Sequence, residues 1–533
     1  MNATAWLSSS LVRQFPLAPR RGGRSLTVIA ARGEKVSFQA CVRVLDGGPI
    51  GVCAGADAPA GLSVEVRRVG YVPMPHHNTG TQNDELDGVG FIPGYVPDPL
   101  FPESEALAVS GEVTAFWLTV RVAPDARPGP KRVRVALTFG DGEKIRLEAV
   151  VRVSPVVVGR RRDFHVTHWF YADAICDWYG LDPFERAFWP MCEKYMRNYA
   201  EHGSDVIYVP VFTPPLDGVK RPTQLLRVTR RARDKYEFDW RDVRRWIATA
   251  RRCGIRRFEW THFFTQWGAR RAIRIYEKRD GRDRLLWPPH TGATSNTYRT
   301  FLSQFLPALK RFLDREGLLG ASYFHVSDEP GPHDLVRYRK ARGMLRELAP
   351  WMKVMDALSH IEFARDGLTD LPVPVISAAQ EFVEEGITCW AYFCCGPRGR
   401  HLNRLLDTPL AKIRGAGWLF YRFGLRGFLH WGYNYWYKSQ TRQMIDPFTV
   451  SDGTKWPGWA FGDTFEVYPG PDGPIDSIRW EVFAESLQDY ALLQTLEVER
   501  DSAALAAFRG FDSFPKDAKW YGTARKKLLV DAC

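Results

Sequence analysis

The chain has 533 residues, 45% of them hydrophobic and 25% charged, with a formal net charge of +12. That length predicts two domains, and the composition is that of a globular protein, not a disordered or fibrous one. Nine cysteines, odd in number and without a C-x-x-C spacing, exclude a disulfide scaffold and a cysteine zinc site; even the adjacent Cys394 and Cys395 suit neither.

No stretch approaches the ~20 apolar residues of a membrane-spanning helix, and the N-terminus "MNATAWLSSSLVRQFPLAPRRGG" lacks the apolar core of a signal peptide. The expectation is a cytoplasmic protein that works without a membrane. The basic excess is densest in "RRARDKYEFDWRDVRRWIATARRCGIRRFEW". There Trp240, Val243, Trp246, Ile247 and Ala250 recur at helical spacing, so the arginines fall on a solvated face and nucleic acid is not an expected partner. The aromatic load is high, at 19 Trp, 20 Tyr and 32 Phe. Indole faces pack on the apolar C–H face of a sugar ring as readily as they fill a large core.

In chain order, residues 1–160 show period-two alternation. "VSFQACVRV", "TAFWLTVRVAP" and "KRVRVALTF" read as strands; in the last, Val133, Val135, Leu137 and Phe139 share one face. Strands at short spacing predict a β-sandwich. Between them, "YVPMPHHNTGTQNDELDGVGFIPGYVPDPLFPE" reads as one long ordered loop.

Beyond "GRRRDF", over residues 161–533, strands and helices alternate. Residues 240–254 form a helix and "IRRFEW" a strand. "TYRTFLSQFLPALKRFLDREG" is amphipathic, with Phe301, Leu302, Phe305, Leu306, Leu309, Phe312 and Leu313 on its buried side. The strand "ASYFHVS", the helix "HDLVRYRKARGMLREL", the strands "WMKVMDAL", "VPVIS" and "GITCWAYF", the helix "PLAKIRGAGWLFYRFG", the strand "GFLHWGY" and the helix "SIRWEVFAESLQDYALLQTLEVE" follow. Repeated β-α units without a Gly-rich phosphate loop predict a (β/α)8 barrel of the α/β class.

"ASYFHVSDEP" then carries the functional argument. Asp328 and Glu329 stand where an apolar strand gives way to its loop, which is where barrels place chemistry. Two carboxyls so close cannot both ionise freely, so one keeps a proton near neutrality. Against this stands a helix cap by Asp328 or Asp334. Ordinary retaining glycosidases need carboxyls ~5–5.5 Å apart on opposite sides of the anomeric carbon, and inverting ones ~6.5–9.5 Å. Consecutive residues approach from one side, which suffices when a 2-acetamido group on the substrate supplies the nucleophile.

"YFHVSDEP" resembles the catalytic signature of glycoside hydrolase family 123, the β-N-acetylgalactosaminidases, and of related uncharacterised catalytic domains. "CWAYFCCGPRG", "RGAGWLFYRFGLRGFLHWGYNYW", "GDTFEVYPGPDGPIDSIRWEVFAESLQDYALL" and "VPDPLFP" extend the likeness over most of the chain. The resemblance implies an N-terminal β-sandwich, a (β/α)8 catalytic barrel, an oligosaccharide or glycoconjugate substrate, and no metal or other cofactor. It makes Asp328 the residue that orients the acetamido group and Glu329 the general acid/base. Tyr392, with Tyr433 next, is the expected partner of the acetamide oxygen. Trp390, Trp431 and Trp436 are candidates for a sugar platform and Asn434 for hydroxyl recognition; His325 and His168 line the site or pack beside it. Two other readings remain: a conventional glycosidase with Glu381, Asp356 or Glu259 as the second carboxylate, and a carbohydrate-binding protein without turnover.

Overall fold

The computed structural model describes residues 2–212, 222–438, 441–449 and 459–531. The architecture is mixed α/β. One seven-stranded sheet runs in the order Ala3–Ser9, Lys35–Val44, Val113–Val122, Leu62–Met74, Gly94–Phe101, Gly473–Ser477 and Val467–Gly470. A five-stranded sheet faces it, ordered Ser25–Arg32, Lys144–Val157, Gly129–Phe139, Ile50–Asp57 and Glu105–Ala108. Alternation builds the space between them: Val133, Val135, Leu137 and Phe139 meet Phe38, Ala40, Phe116, Leu118 and Val120, all buried. The first sheet also buries its other face. Trp6, Cys41 and Trp117 point away from the sandwiched core into the core of the second half.

One sequence expectation needs correction here, and one basic run holds more than its predicted helix. The stretch read as one long loop contains strand residues at both ends, because Leu62–Met74 and Gly94–Phe101 pair antiparallel from Arg68–Phe101 to Met74–Gly94. Pro97 and Pro99 disguised the second strand; each lacks an N–H, yet the remaining groups of that strand suffice for the ladder. The densest basic run is a helix only from Arg241 to Arg252. Its first part is a hairpin, Arg227–Ala232 with Lys235–Asp239, in a small four-stranded sheet with Tyr276–Arg279 and Arg282–Leu285.

The second half holds a six-stranded, all-parallel sheet. Its order is Ser322–Tyr323, Arg257–Trp260, Val206–Val209, His165–His168, Gly427–His430 and Ala391–Tyr392. A parallel pair, Met355–Ala357 with Leu371–Val373, lies beyond its two ends. Single parallel bridges, Phe324–Val354 and Val375–Tyr392, tie that pair to either end.

Helices follow most of these strands for the reasons their sequences suggest. Asn296–Arg315 starts at Ser295, whose hydroxyl accepts the Tyr298 N–H, and buries all seven predicted apolar residues. Arg241–Arg252 turns Val243, Trp246, Ile247 and Ala250 inward, and Trp240 stacks on Phe312 at 4.4 Å between ring centroids. Helices Leu410–Arg422 and Ile478–Thr495 touch backbone to backbone. A Cβ at Gly417 would stand 1.7 Å from the Ser486 carbonyl oxygen, so only glycine fits.

Ile478–Thr495 is buried almost all round, acids included. Glu481 pairs with Lys35 and Arg67, both at 2.6 Å, and Asp489 with Arg414 at 2.5 Å. Arg479 reaches Asp98 at 3.1 Å. Buried charges persist only when paired, and these pairs bolt the first sheet to the last helices. No helix among the described residues is long and apolar enough to cross a membrane. The eight described cysteines carry free thiols, and Cys533 lies outside the described residues.

Candidate active site

The stretch Phe324–Glu329 leaves the strand Ser322–Tyr323 at the C-terminal end of the parallel sheet. Its backbone is pinned on both sides. The Trp267 N–H donates to the Asp328 carbonyl at 2.7 Å, and the Glu329 N–H to the Ala357 carbonyl at 3.0 Å. Ser327 accepts the N–H groups of Gly268 and Ala269 at 3.3 and 3.2 Å and donates to the Thr265 carbonyl at 2.9 Å.

Glu329 adopts φ = +43°, a left-handed conformation that costs a non-glycine residue of order 1–3 kcal/mol. The turn has a use. In an extended strand, neighbours face opposite ways; here the chain turns at Glu329, and its charge acts on the Asp328 carboxyl. Asp328 is buried, 7% exposed, and has no side-chain hydrogen-bond partner among the described residues. Glu329 is exposed, and its Oε1 accepts the Tyr392 hydroxyl at 2.5 Å.

Burial pushes the Asp328 carboxyl well above the usual carboxylate range, and the Glu329 charge beside it pushes the same way. His325 opposes this, while Asp356 and Glu259 add to it. Of the two acids, Asp328 is thus the one held toward its protonated form. Neither acid caps a helix. Asp334 occupies that place, accepting the Gly331 N–H at 3.2 Å and pairing with Arg337.

The aromatic candidates divide sharply. Trp431 is half-buried at the end of the strand Gly427–His430. Its indole N–H donates to Asp463 at 3.0 Å, and Tyr435 packs on it at 5.0 Å. Tyr392 is in reach of Glu329, as described. The others turn away.

Trp390 lies at the opposite end of the strands, against Tyr323 and beside Gly427, where a Cβ would stand 2.3 Å from its ring; it plugs a core. Trp436 is fully buried and donates to the Val467 carbonyl at 3.0 Å, so it offers no face to a sugar. The Tyr433 hydroxyl is spent on Asn198 at 2.9 Å and the Tyr195 carbonyl at 3.1 Å. Asn434 accepts the Tyr171 N–H at 2.9 Å and donates to the Tyr171 carbonyl at 3.0 Å, which occupies both ends of its amide. His168 packs edge-on against Trp480 at 4.8 Å, between Ser204 and Arg404, and burial holds its imidazole well below the usual range. His325 is fully buried between Glu259 and Asp356, in a histidine-filled layer under the acids.

Among the alternative second carboxylates, Glu259 and Asp356 are fully buried and hydrogen-bonded, and Glu381 sits on an exposed helix beside Arg365 at 3.8 Å. Sequence reasoning missed Tyr208, Trp169 and Asp463. Tyr208 is buried, and Glu259 and Asp328 both help push its phenol up. The short runs "VIYVP" and "THWFY" were the available signal for Tyr208 and Trp169, and nothing local in "FGDTF" marks Asp463.

The family model for the catalytic domain of glycoside hydrolase 123 matches residues 169–496. The chain belongs to glycoside hydrolase family 123. As a family 123 glycoside hydrolase it is an enzyme acting on a glycan. Its fold is similar to that of a family 123 glycoside hydrolase from Clostridium perfringens, whose structure is described in terms of glycolipid glycan hydrolysis. That match has a TM-score of 0.74 at 13% identity, over 93% of this chain and 88% of that one. A family 5 xyloglucanase from Bacteroides ovatus aligns at a TM-score of 0.32 and 9% identity, over 88% of this chain and 98% of that one. No curated protein matches the sequence.

Proposed function

We propose that this family 123 enzyme is a retaining exo-β-N-acetylhexosaminidase, galactosaminidase-like, in which the substrate's 2-acetamido group supplies the nucleophile. The observation that carries the reading is the placement of the acids. Asp328 and Glu329 are consecutive and act on each other, so we place them on one side of the sugar, and Glu259, Asp356 and Glu381 are each engaged by other side chains. A mechanism with two carboxylates across the sugar finds no free partner in these three; one that borrows the acetamide needs none.

In this mechanism the acetamide carbonyl oxygen bonds to C1 as the glycosidic C1–O bond breaks, and Glu329 gives its proton to the leaving oxygen. Asp328 accepts the amide N–H and faces the positive charge of the oxazolinium. Glu329 then takes a proton from water, whose oxygen bonds to C1 as the acetamide oxygen departs, and the starting configuration is restored. A buried carboxyl without a partner among the described residues suits the Asp328 role. It holds a proton while the site is empty and passes it to Glu329 when the amide donor arrives, which leaves Asp328 a carboxylate and arms Glu329 as the acid. Tyr392 anchors Glu329, and Trp431, braced by Asp463, is the sugar platform.

The eight parallel strands, met in sequence order and joined by the two single bridges, support a (β/α)8 barrel with the acid pair at its C-terminal mouth. We divide the chain into a β-sandwich at 1–160 and a catalytic unit at 161–533, with Val467–Ser477 crossing back to extend the first sheet.

The test is a panel of aryl β-glycosides of N-acetylgalactosamine, N-acetylglucosamine, galactose and glucose. Turnover confined to the acetamido sugars, with retention at C1, is expected. Equal turnover of the neutral sugars would overturn the substrate-assisted reading. Sugar binding without turnover of any member would overturn the assignment of hexosaminidase activity.

A further inference from the structure

The chemistry above leaves three buried side chains beneath the acid pair without a task. His325 Nε2 stands 2.8 Å from Glu259 Oε1, and its Nδ1 stands 3.2 Å from Asp356 Oδ1. All three residues are 0% exposed. Glu259 also accepts the Thr167 hydroxyl at 2.5 Å and the Trp169 indole N–H at 2.6 Å. Asp356 accepts the Val326 N–H at 3.0 and 3.2 Å and the Tyr338 hydroxyl. That backbone bond fastens the stretch that carries Asp328 two residues later.

Each ring nitrogen of His325 faces a carboxyl oxygen, and both contacts are hydrogen bonds only if each holds a hydrogen, on the ring nitrogen or on the carboxyl. The three groups then sum to one negative charge. Sliding the proton from His325 to Asp356 leaves the sum unchanged. Other arrivals are few: His262 stacks on His325 at 4.2 Å between ring centroids, but burial keeps it neutral. Among the described residues, the charged groups that act most on Asp328 are Glu329, His325, Asp356 and Glu259, with the Tyr208 phenol nearby. A buried net charge with every oxygen and nitrogen engaged is costly to assemble, and it serves a site whose reaction develops charge of the opposite sign.

We propose that Glu259, His325 and Asp356 are positioning residues that fix the Asp328 segment and hold one net negative charge beneath it, preparing the site for the positive charge of the sugar in the transition state. The purpose rests on the acetamido reading; the charge itself is measurable without any substrate. Asp328 feels it directly, because a negative neighbour keeps a carboxyl protonated.

The experiment is infrared spectroscopy of the carboxyl C=O band in the substrate-free protein, assigned by its loss in Asp328→Asn and followed against pH. The wild-type band is expected to persist above the ordinary carboxylate range. Glu259→Gln, with its fold verified by circular dichroism, should lower the midpoint by about one pH unit, the effect of removing a nearby charge in a partly screened interior. It should also lower kcat on acetamido glycosides by about tenfold or more. Asp356→Asn removes the same charge from the other side of the ring and serves if the first variant does not fold. A lowered melting temperature with an unmoved midpoint would reduce these residues to scaffolding and overturn the proposal. A wild-type midpoint near pH 4, where a free carboxyl titrates, would overturn it without any variant. Failure of the acetamido reading appears separately, in the aryl glycoside panel, and leaves the midpoint shift to stand or fall by itself.

Discussion

Asp328→Asn isolates one half of the acid pair while keeping its shape. Asp328 is 7% exposed and has no side-chain partner among the described residues, so a bound amide N–H would be the single donor to a carboxylate shielded from water. A hydrogen bond to a charged group contributes about 1.5–3 kcal/mol, and loss of one group aimed at transition-state charge costs ~10²–10³ in kcat. The expected loss is therefore about a hundredfold to a thousandfold on aryl N-acetylhexosaminides. It should be the same for good and poor leaving groups, because Asp328 acts on the nucleophile's side of the reaction. Glu329→Gln behaves differently, with a large loss for poor leaving groups and a small one for activated ones, at least until deglycosylation limits the rate. The variant should fold as well as the wild type or better, since it removes a carboxyl whose ionisation burial penalises. Steady-state kinetics with a leaving-group series, beside thermal unfolding, decides. Unchanged kcat in a folded Asp328→Asn protein, or a loss that grows with leaving-group pKa, would refute the role.

His325 is held up to about 9 by Asp356 and Glu259 against its burial. Its folded pKa is raised, so its stabilisation is complete below about pH 6.5 and is lost as pH rises through about 9; melting temperature should fall across that window. Tyr392→Phe removes the donor to Glu329 and should cut kcat by about tenfold while leaving the melting temperature nearly unchanged. Trp431→Ala should raise KM more than it lowers kcat, whereas Trp436→Ala should cost about 3–5 kcal/mol of stability and leave KM of the folded fraction untouched, as read by denaturant unfolding and initial rates.

Much of this was legible in the residues, and what was not has identifiable causes. The helix at 296–315 announced itself because its seven apolar positions keep one period for about three and a half turns. Six of the eight parallel strands were visible as short apolar runs; His165–His168 and Val206–Val209 went unread, and several strands shrink to two or three paired residues, which no alternation can delimit. The strand Gly94–Phe101 was hidden by its prolines, and the hairpin Arg227–Asp239 by its charge. At the site, the acids stood out because adjacent carboxylates after an apolar run are costly. Trp390, Trp436, Tyr433 and Asn434 looked equally functional in one dimension, and only burial separates them from Trp431. Glu259 and Asp356 reverse the pattern: read as rival catalytic carboxylates, they are engaged from every side in space. Nothing local in "RRFEW" or "KVMDA" distinguishes the two situations.

The central claim is that the substrate's own acetamide attacks its anomeric carbon under the hand of Asp328. An N-acetylhexosamine thiazoline reproduces the cyclic intermediate and offers its ring nitrogen to that carboxyl. Calorimetric titration of the wild type and Asp328→Asn with the thiazoline measures the contact without any turnover. The account predicts tight binding to the wild type, at least a hundredfold tighter than the parent N-acetylhexosamine and weakened by a similar factor in the variant. Thiazoline binding no tighter than that of the parent sugar, or unaffected by Asp328→Asn, would contradict it.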